Sequence, residues 1–208
     1  MSKITEITTA VEVGKSKIIA EIVQDALNEG LSANEILQAM IGSMSVVGDK
    51  FSSGEIFVPE MLISARAMQK GVEVLKPILA GEGSISLGKC IIGTVEGDLH
   101  DIGKNLVAIM IESTGFDVID LGVDVTADKF IEAIKANADV KVVACSALLT
   151  TTMPALGSTV KAIKASGLEG FKVIVGGAPI TQAFADEVGA DAYAQDAGGA
   201  AITAKTLV

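Results

Sequence analysis

Hydrophobic positions along the chain follow two periods, and the change falls near residue 85. Before it, apolar residues recur every three or four positions, the spacing of one helix face. Ile36, Met40, Met44, Val47 and Phe51 form one stripe, entered through Ser32 and Glu35 at the S-x-x-E spacing of a capping box. Met61, Ala65, Met68, Val72, Leu75 and Leu79 form a second, starting near Pro59, a residue favoured in a helix's first turn. Shorter helices with weaker stripes are expected near Ile4–Val13 and Lys17–Leu27. Four helices with short connections predict an antiparallel bundle over residues 1–85.

Gly81-Glu82-Gly83-Ser84 reads as a linker. Beyond it, β-rich runs appear at Lys89–Val95, Phe116–Leu121, Val140–Ala147 and Lys172–Val175, with a weaker one at Ala192–Ala194. Helical segments fill the gaps: Ile102–Ser113, Ala127–Ala136, Pro154–Ala165, Thr181–Val188 and Gly199–Thr206. The strands read as apolar on both faces. That alternation predicts an α/β domain over residues 86–208, a parallel sheet with helices on both faces. Ligands of such sheets sit beyond the carboxyl ends of the strands.

Composition narrows the function. Half of the 208 residues are hydrophobic and a fifth charged, a globular balance. Sixteen Lys and Arg face twenty-six acids, for a net charge of −10. With no basic run to neutralise phosphates, nucleic acid and anionic membrane surfaces are poor partners. Met1-Ser2-Lys3-Ile4 lacks the pattern of a signal peptide, and no apolar run approaches the roughly 20 residues of a membrane span, so a cytoplasmic protein is expected. Cys90 and Cys145 lie inside apolar runs without a C-x-x-C neighbour and read as reduced core thiols.

The segments after the strands hold the candidate chemistry. They are Glu96–Lys104, Ser146–Thr152, Gly176–Pro179 and Gln195–Gly199, and they should converge on one rim. The first carries the only imidazole of the chain, His100, with Asp98 two positions away. A loop histidine suits a borderline transition metal, and a carboxylate commonly takes its other ring N–H. A metal site made by protein alone needs three or four ligands, and no second His or suitable Cys is present. One imidazole completes a site only where the metal brings most of its ligands, as in a corrin or porphyrin. A lone histidine hydrogen-bonded in a loop is the plainer alternative on composition.

Asp98-x-His100-x-x-Gly103, then Ser146-x-Leu148, then Gly176-Gly177, in that order and at these intervals, resembles the signature of cobalamin-binding domains. Those domains hold the cofactor base-off, with a protein histidine on cobalt. Phe51-Ser-Ser-Gly54-Glu55-Ile56-Phe57-Val58-Pro59-Glu60 resembles the turn between the last two helices of the family's helical cap. The resemblance spans nearly the whole chain. It is closest to the stand-alone corrinoid proteins of methyltransferase systems, and methionine synthase has both modules in a longer chain.

That resemblance implies a Rossmann-like (flavodoxin-like) sheet domain behind the four-helix bundle, and a role for each matching residue. His100 would ligate cobalt, Asp98 would accept the other imidazole N–H, and Thr152 would stand where methionine synthase completes its relay with a serine. Gly97, Leu99, Asp101, Ile102 and Thr151 would contact the cofactor. Ser146, Leu148 and Thr150 would line the pocket of the displaced benzimidazole. Gly103, Gly176 and Gly177 would let backbone approach the nucleotide tail and Ala197 would face it through its backbone, although ordinary turn glycines of positive φ explain the three glycines too. Phe51 and Val58 would cover the upper face, although Phe51 also simply ends a core stripe. Gly81–Ser84 would be a hinge.

The implied function is a methyl carrier serving two enzymes, with no catalytic barrel of its own. Its partners would be a substrate-specific methyltransferase, a second methyltransferase using tetrahydrofolate or coenzyme M, and a reductive activation protein. Rival readings are a cobalamin-dependent sensor, which the acidic charge disfavours as a DNA binder, and the small subunit of an adenosylcobalamin mutase, which usually lacks the helical half. A receiver domain needs a phosphoacceptor Asp and a Lys where Ser146 and Gln195 stand.

Overall fold

The computed structural model describes residues 2–82 and 86–208. It divides into two compact units, Met1–Ile85 with Ser113–Gly115, and Ser86–Glu112 with Phe116–Val208. In the first, helices α1 (Lys3–Glu12), α2 (Ile19–Asn28), α3 (Ala33–Ser52) and α4 (Val58–Glu82) pack as a bundle, α1 on α3 and α2 on α4. Ser32 caps α3, its hydroxyl accepting the Glu35 amide at 3.1 Å. The two stripes supply the core, with Ile36, Met40, Met44, Met61, Met68 and Leu75 fully buried beside Ile7 and Ile19. Gly71 brings α4 close, since a Cβ there would lie 2.3 Å from Met40 Cε. Helix α4 runs through Glu82, so Gly81 and Glu82 of the linker expectation are helical, while Gly83 and Ser84 lie outside the described residues.

The second unit carries β1 (Lys89–Thr94), α5 (Ile102–Ser113), β2 (Asp117–Asp120), α6 (Ala127–Ala136), β3 (Val140–Ser146), α7 (Met153–Ala165), β4 (Lys172–Gly176), α8 (Gln182–Val188), β5 (Ala192–Ala194) and α9 (Ala197–Thr206). The strands pair in parallel in the order β2-β1-β3-β4-β5. Ile91, Val143, Cys145, Val173 and Val175 form one buried cluster with Phe130, Leu156, Val160, Ile163 and Val188 of α6, α7 and α8. Cys90, Ile92, Val142, Ala144 and Ile174, alternating with them, are buried too. The expectation of strands apolar on both faces holds for β1, β3 and β4 and fails for β2. That strand is an edge and exposes Asp117 and Asp120.

Strand order reverses between β1 and β3. Connections leave these neighbours in opposite directions and open a crevice at their carboxyl ends, where open α/β sheets bind ligands. The His100 and Ser146 segments follow these two strands. No described helix is long and apolar enough to cross a membrane.

Candidate functional site

The first loop leaves β1 through a tight turn. The Asp98 amide donates to the Val95 carbonyl at 3.1 Å, and the third turn residue, Gly97, takes φ +80, which favours glycine. The turn drops Asp98 into the crevice, where it is fully buried. Every acceptor direction of its carboxylate is used. Oδ1 receives the His100 amide at 3.1 Å and faces His100 Nδ1 at 2.7 Å. Oδ2 accepts the Leu148 amide and the Thr152 hydroxyl, both at 2.7 Å.

Burial by itself would raise the Asp98 carboxyl. The Leu148 amide, then the Thr152 hydroxyl and the ring and amide of His100, outweigh it and hold the group well below the usual carboxylate range. A carboxylate that stays ionised requires a proton on the ring nitrogen facing it. In the neutral imidazole the lone pair therefore sits on Nε2. His100 is half exposed, and Nε2 has no hydrogen-bond partner among the described residues. Thr152 is the residue before α7, yet its hydroxyl makes no capping bond to that helix and is turned to Asp98 instead.

Around this imidazole the rim is apolar and uncovered. Leu99 is 72% exposed, Ile102 77%, Leu148 42% and Leu149 41%. Asp101, Gly103, Thr150 and Thr151 are exposed as well, and a Cβ at Gly103 would meet nothing within 4 Å. Among the described residues no group of three or more His, Cys, Asp or Glu could hold a metal ion. One outward lone pair in an open apolar setting fits a flat macrocycle that supplies the metal's other ligands. The residues present therefore fit a corrinoid.

Other expected residues divide. Gly177, at φ +126, would place a Cβ 1.9 Å from the Ala147 carbonyl oxygen, and a Cβ at Gly176 would lie 2.8 Å from that of Ala194. The protein's own backbone thus demands both glycines with or without a tail beside them. Ser146 is partly buried, and its hydroxyl lies 3.0 Å from Thr94 Oγ1. Ala197 is buried at the start of α9. In the bundle, Phe51 is half-buried near the end of α3, and Val58 is exposed at the start of α4. Cys90 and Cys145 are buried free thiols, each pushed up to about 12 by burial, and are inert at neutral pH.

Two positioning residues escape the sequence reading. Thr94 donates from its hydroxyl to the His100 carbonyl at 2.9 Å and so accepts from Ser146, tying β1, the loop and β3 together. Asp124 receives the Gly97 amide at 2.8 Å. It lies in the segment after β2, the one strand end that reading passes over, so the strand-end rule itself was the available signal.

Known proteins resemble this chain over nearly its whole length. Residues 88–204 and 4–76 each match a family model described as a B12 binding domain. The chain is 39% identical to a corrinoid protein of Desulfitobacterium hafniense strain Y51, over 100% of this chain and 98% of that one. It is 42% identical to dimethylamine corrinoid protein 1 of Methanosarcina acetivorans, over 98% and 96%. Among solved structures, a cobalamin-binding protein from Desulfitobacterium hafniense DCB-2 superposes with a TM-score of 0.84 at 32% identity, covering 99% of this chain and 98% of that one. The methanol:cobalamin methyltransferase complex of Methanosarcina barkeri gives 0.83 at 29% identity, covering 98% and 78%. The fold is thus the Rossmann-like B12-binding one, behind a helical bundle. The chain belongs to the corrinoid proteins of methyltransferase systems, and cobalamin is its cofactor.

Proposed function

We propose that this protein carries a methyl group on cobalamin between two methyltransferases, with His100 Nε2 as the lower ligand of a base-off cofactor. One enzyme would be specific for the methyl donor, and the other would pass the group to tetrahydrofolate or coenzyme M. A reductive activation protein would restore the carrier after oxidation. The bound corrinoid supplies a cobalt centre able to accept and release a methyl group. The observation that carries the reading is the outward Nε2 lone pair, fixed by the buried Asp98–Thr152 pair, on an uncovered apolar rim.

The protein's own residues then act on His100. Asp98 fixes the ring tautomer and raises the donor strength of Nε2. With Nδ1 held on the carboxylate at 2.7 Å, the ring would keep its aim whether or not Nε2 holds the metal. Thr152 supplies a hydroxyl to the same carboxylate and so holds the group that orients the ring. Phe51 and Val58 would shield the reactive face from water and oxygen. Residues 1–85 would act as this lid and 86–208 as the cobalamin-binding domain, working in the cytoplasm.

Reconstitution with hydroxocobalamin tests the ligand. Wild type should give a histidine-ligated visible spectrum that His100→Ala loses, and an unchanged spectrum in the variant would sink the assignment. The carrier role requires that reduced, loaded protein take a methyl group from a methylamine- or methanol-type methyltransferase. Failure with every such enzyme would count against it.

A further inference from the structure

We infer that Asp124 is a positioning residue for the His100 loop, gripping the turn that bears Asp98 through both its carboxylate and its amide; this rests on the cobalamin-ligand reading above. Asp124 Oδ1 accepts the Gly97 amide at 2.8 Å, and the Asp124 amide donates to the Asp98 carbonyl at 3.0 Å. The two bonds close a ring across the ends of β1 and β2. Just beside it the Val125 amide donates to the Thr94 carbonyl at 3.0 Å, in a parallel Val95–Val125 bridge.

Asp124 has φ +53 and is the one non-glycine with positive φ among the described residues. Asp and Asn enter that region at lower cost than other side chains, yet it remains unfavourable and is held only where surroundings insist. Here the left-handed backbone is what lets one residue present amide and side chain to the same turn.

The need for such a grip follows from Asp98. Its side chain is committed to the ring and amide of His100, to Leu148 and to Thr152, so it holds no main-chain group of the turn 95–98. The aim of the imidazole passes through Asp98, and the aim of Asp98 passes through the turn. Asp124 contacts neither the imidazole nor its lone pair, and acts only on that turn.

Three variants separate backbone from side chain. Asp124→Gly keeps the left-handed backbone and its amide but loses the acceptor for Gly97. Asp124→Asn keeps an acceptor and tolerates the backbone. Asp124→Ala loses the acceptor and strains the backbone. After reconstitution with hydroxocobalamin, wild type and Asp124→Asn should show the same histidine-ligated fraction by visible absorbance. Asp124→Gly should retain corrinoid about tenfold less tightly, the scale of one hydrogen bond, with a smaller ligated fraction. Asp124→Ala should fall at least as far.

A wild-type spectrum and affinity in Asp124→Gly, or an Asp124→Asn as impaired as Asp124→Gly, would overturn the inference. If Asp124→Gly does not fold, amide exchange at Gly97 in the corrinoid-free wild type decides. Protection supports the grip, and exchange at an open-loop rate overturns it. A wild type that takes no corrinoid would instead remove the carrier reading, and the Gly97 exchange would still judge the grip.

Discussion

Gly103 and Gly177 belong to one sequence signature and meet opposite surroundings. A methyl group at Gly103 would enter empty space, whereas at Gly177 it would strike the Ala147 carbonyl oxygen with the backbone at φ +126. Gly103→Ala should therefore leave the corrinoid-free protein intact, or firmer by up to about 0.5 kcal/mol from improved helix propensity in α5. The same change should weaken corrinoid uptake, because the open volume is where the nucleotide tail is proposed to approach the backbone. Gly177→Ala should cost about 3 kcal/mol or more before any cofactor is added. Urea denaturation of both apoproteins, followed by cobalamin titration, checks the pair. A Gly103→Ala protein that binds corrinoid normally would remove that glycine from the site. Spacing marks both positions alike and cannot tell them apart, since the atom that would clash at Gly177 belongs to Ala147, thirty residues away and just past β3. The Thr94–His100–Ser146 link is hidden for the same reason.

Elements were easier to read than their joints. Periodicity located the four bundle helices and five strands because each buries one stripe or both faces, and burial is what that pattern encodes. It misjudged edge strand β2, whose outer pairing partner is water, and placed a break at Gly81 where α4 continues through Glu82. One joint that sequence pattern does not advertise is Asp191, just before β5. Its carboxylate accepts the Val173 amide of β4 at 2.7 Å, pairs with Lys164 of α7, and lies 3.6 Å from Lys172 Nζ. Burial pushes this carboxyl up, but the Lys164 hydrogen bond, the Val173 amide and both lysine charges prevail and lower it from 3.8. A lowered carboxyl means that the folded state favours the charged form. Its stabilisation is thus complete above the unfolded value and disappears as pH falls through the folded one. Asp191→Asn should cost about 1–2 kcal/mol at neutral pH. It should also flatten the decline in melting temperature below about pH 4, leaving the share that Asp98 and Asp139 contribute. An unchanged acid flank would assign the acid sensitivity elsewhere.

Each unit of the whole molecule has its own buried core, methionine-rich in the bundle and β-branched in the sheet. Their roles under the carrier reading differ, and so should their response to cofactor. A ligand that binds only the folded state stabilises it by RT ln(1 + [L]/Kd), about 2.7 kcal/mol at a hundredfold excess over Kd. Since the proposed lower ligand and tail contacts all lie in residues 86–208, that increment should reach this unit through His100. Thermal unfolding of wild type and His100→Ala, with and without hydroxocobalamin, measures it. Wild type should gain several degrees with cofactor, with loss of the histidine-ligated absorbance coinciding with loss of secondary structure. His100→Ala should lower the melting temperature modestly without cofactor, because the buried Asp98 carboxylate loses its Nδ1 partner while Nε2 has none inside the protein to lose. With cofactor it should gain markedly less. Equal gains in both proteins would mean that corrinoid is held by surface area alone, and that the buried Asp98–Thr152 pair serves the fold and not the metal.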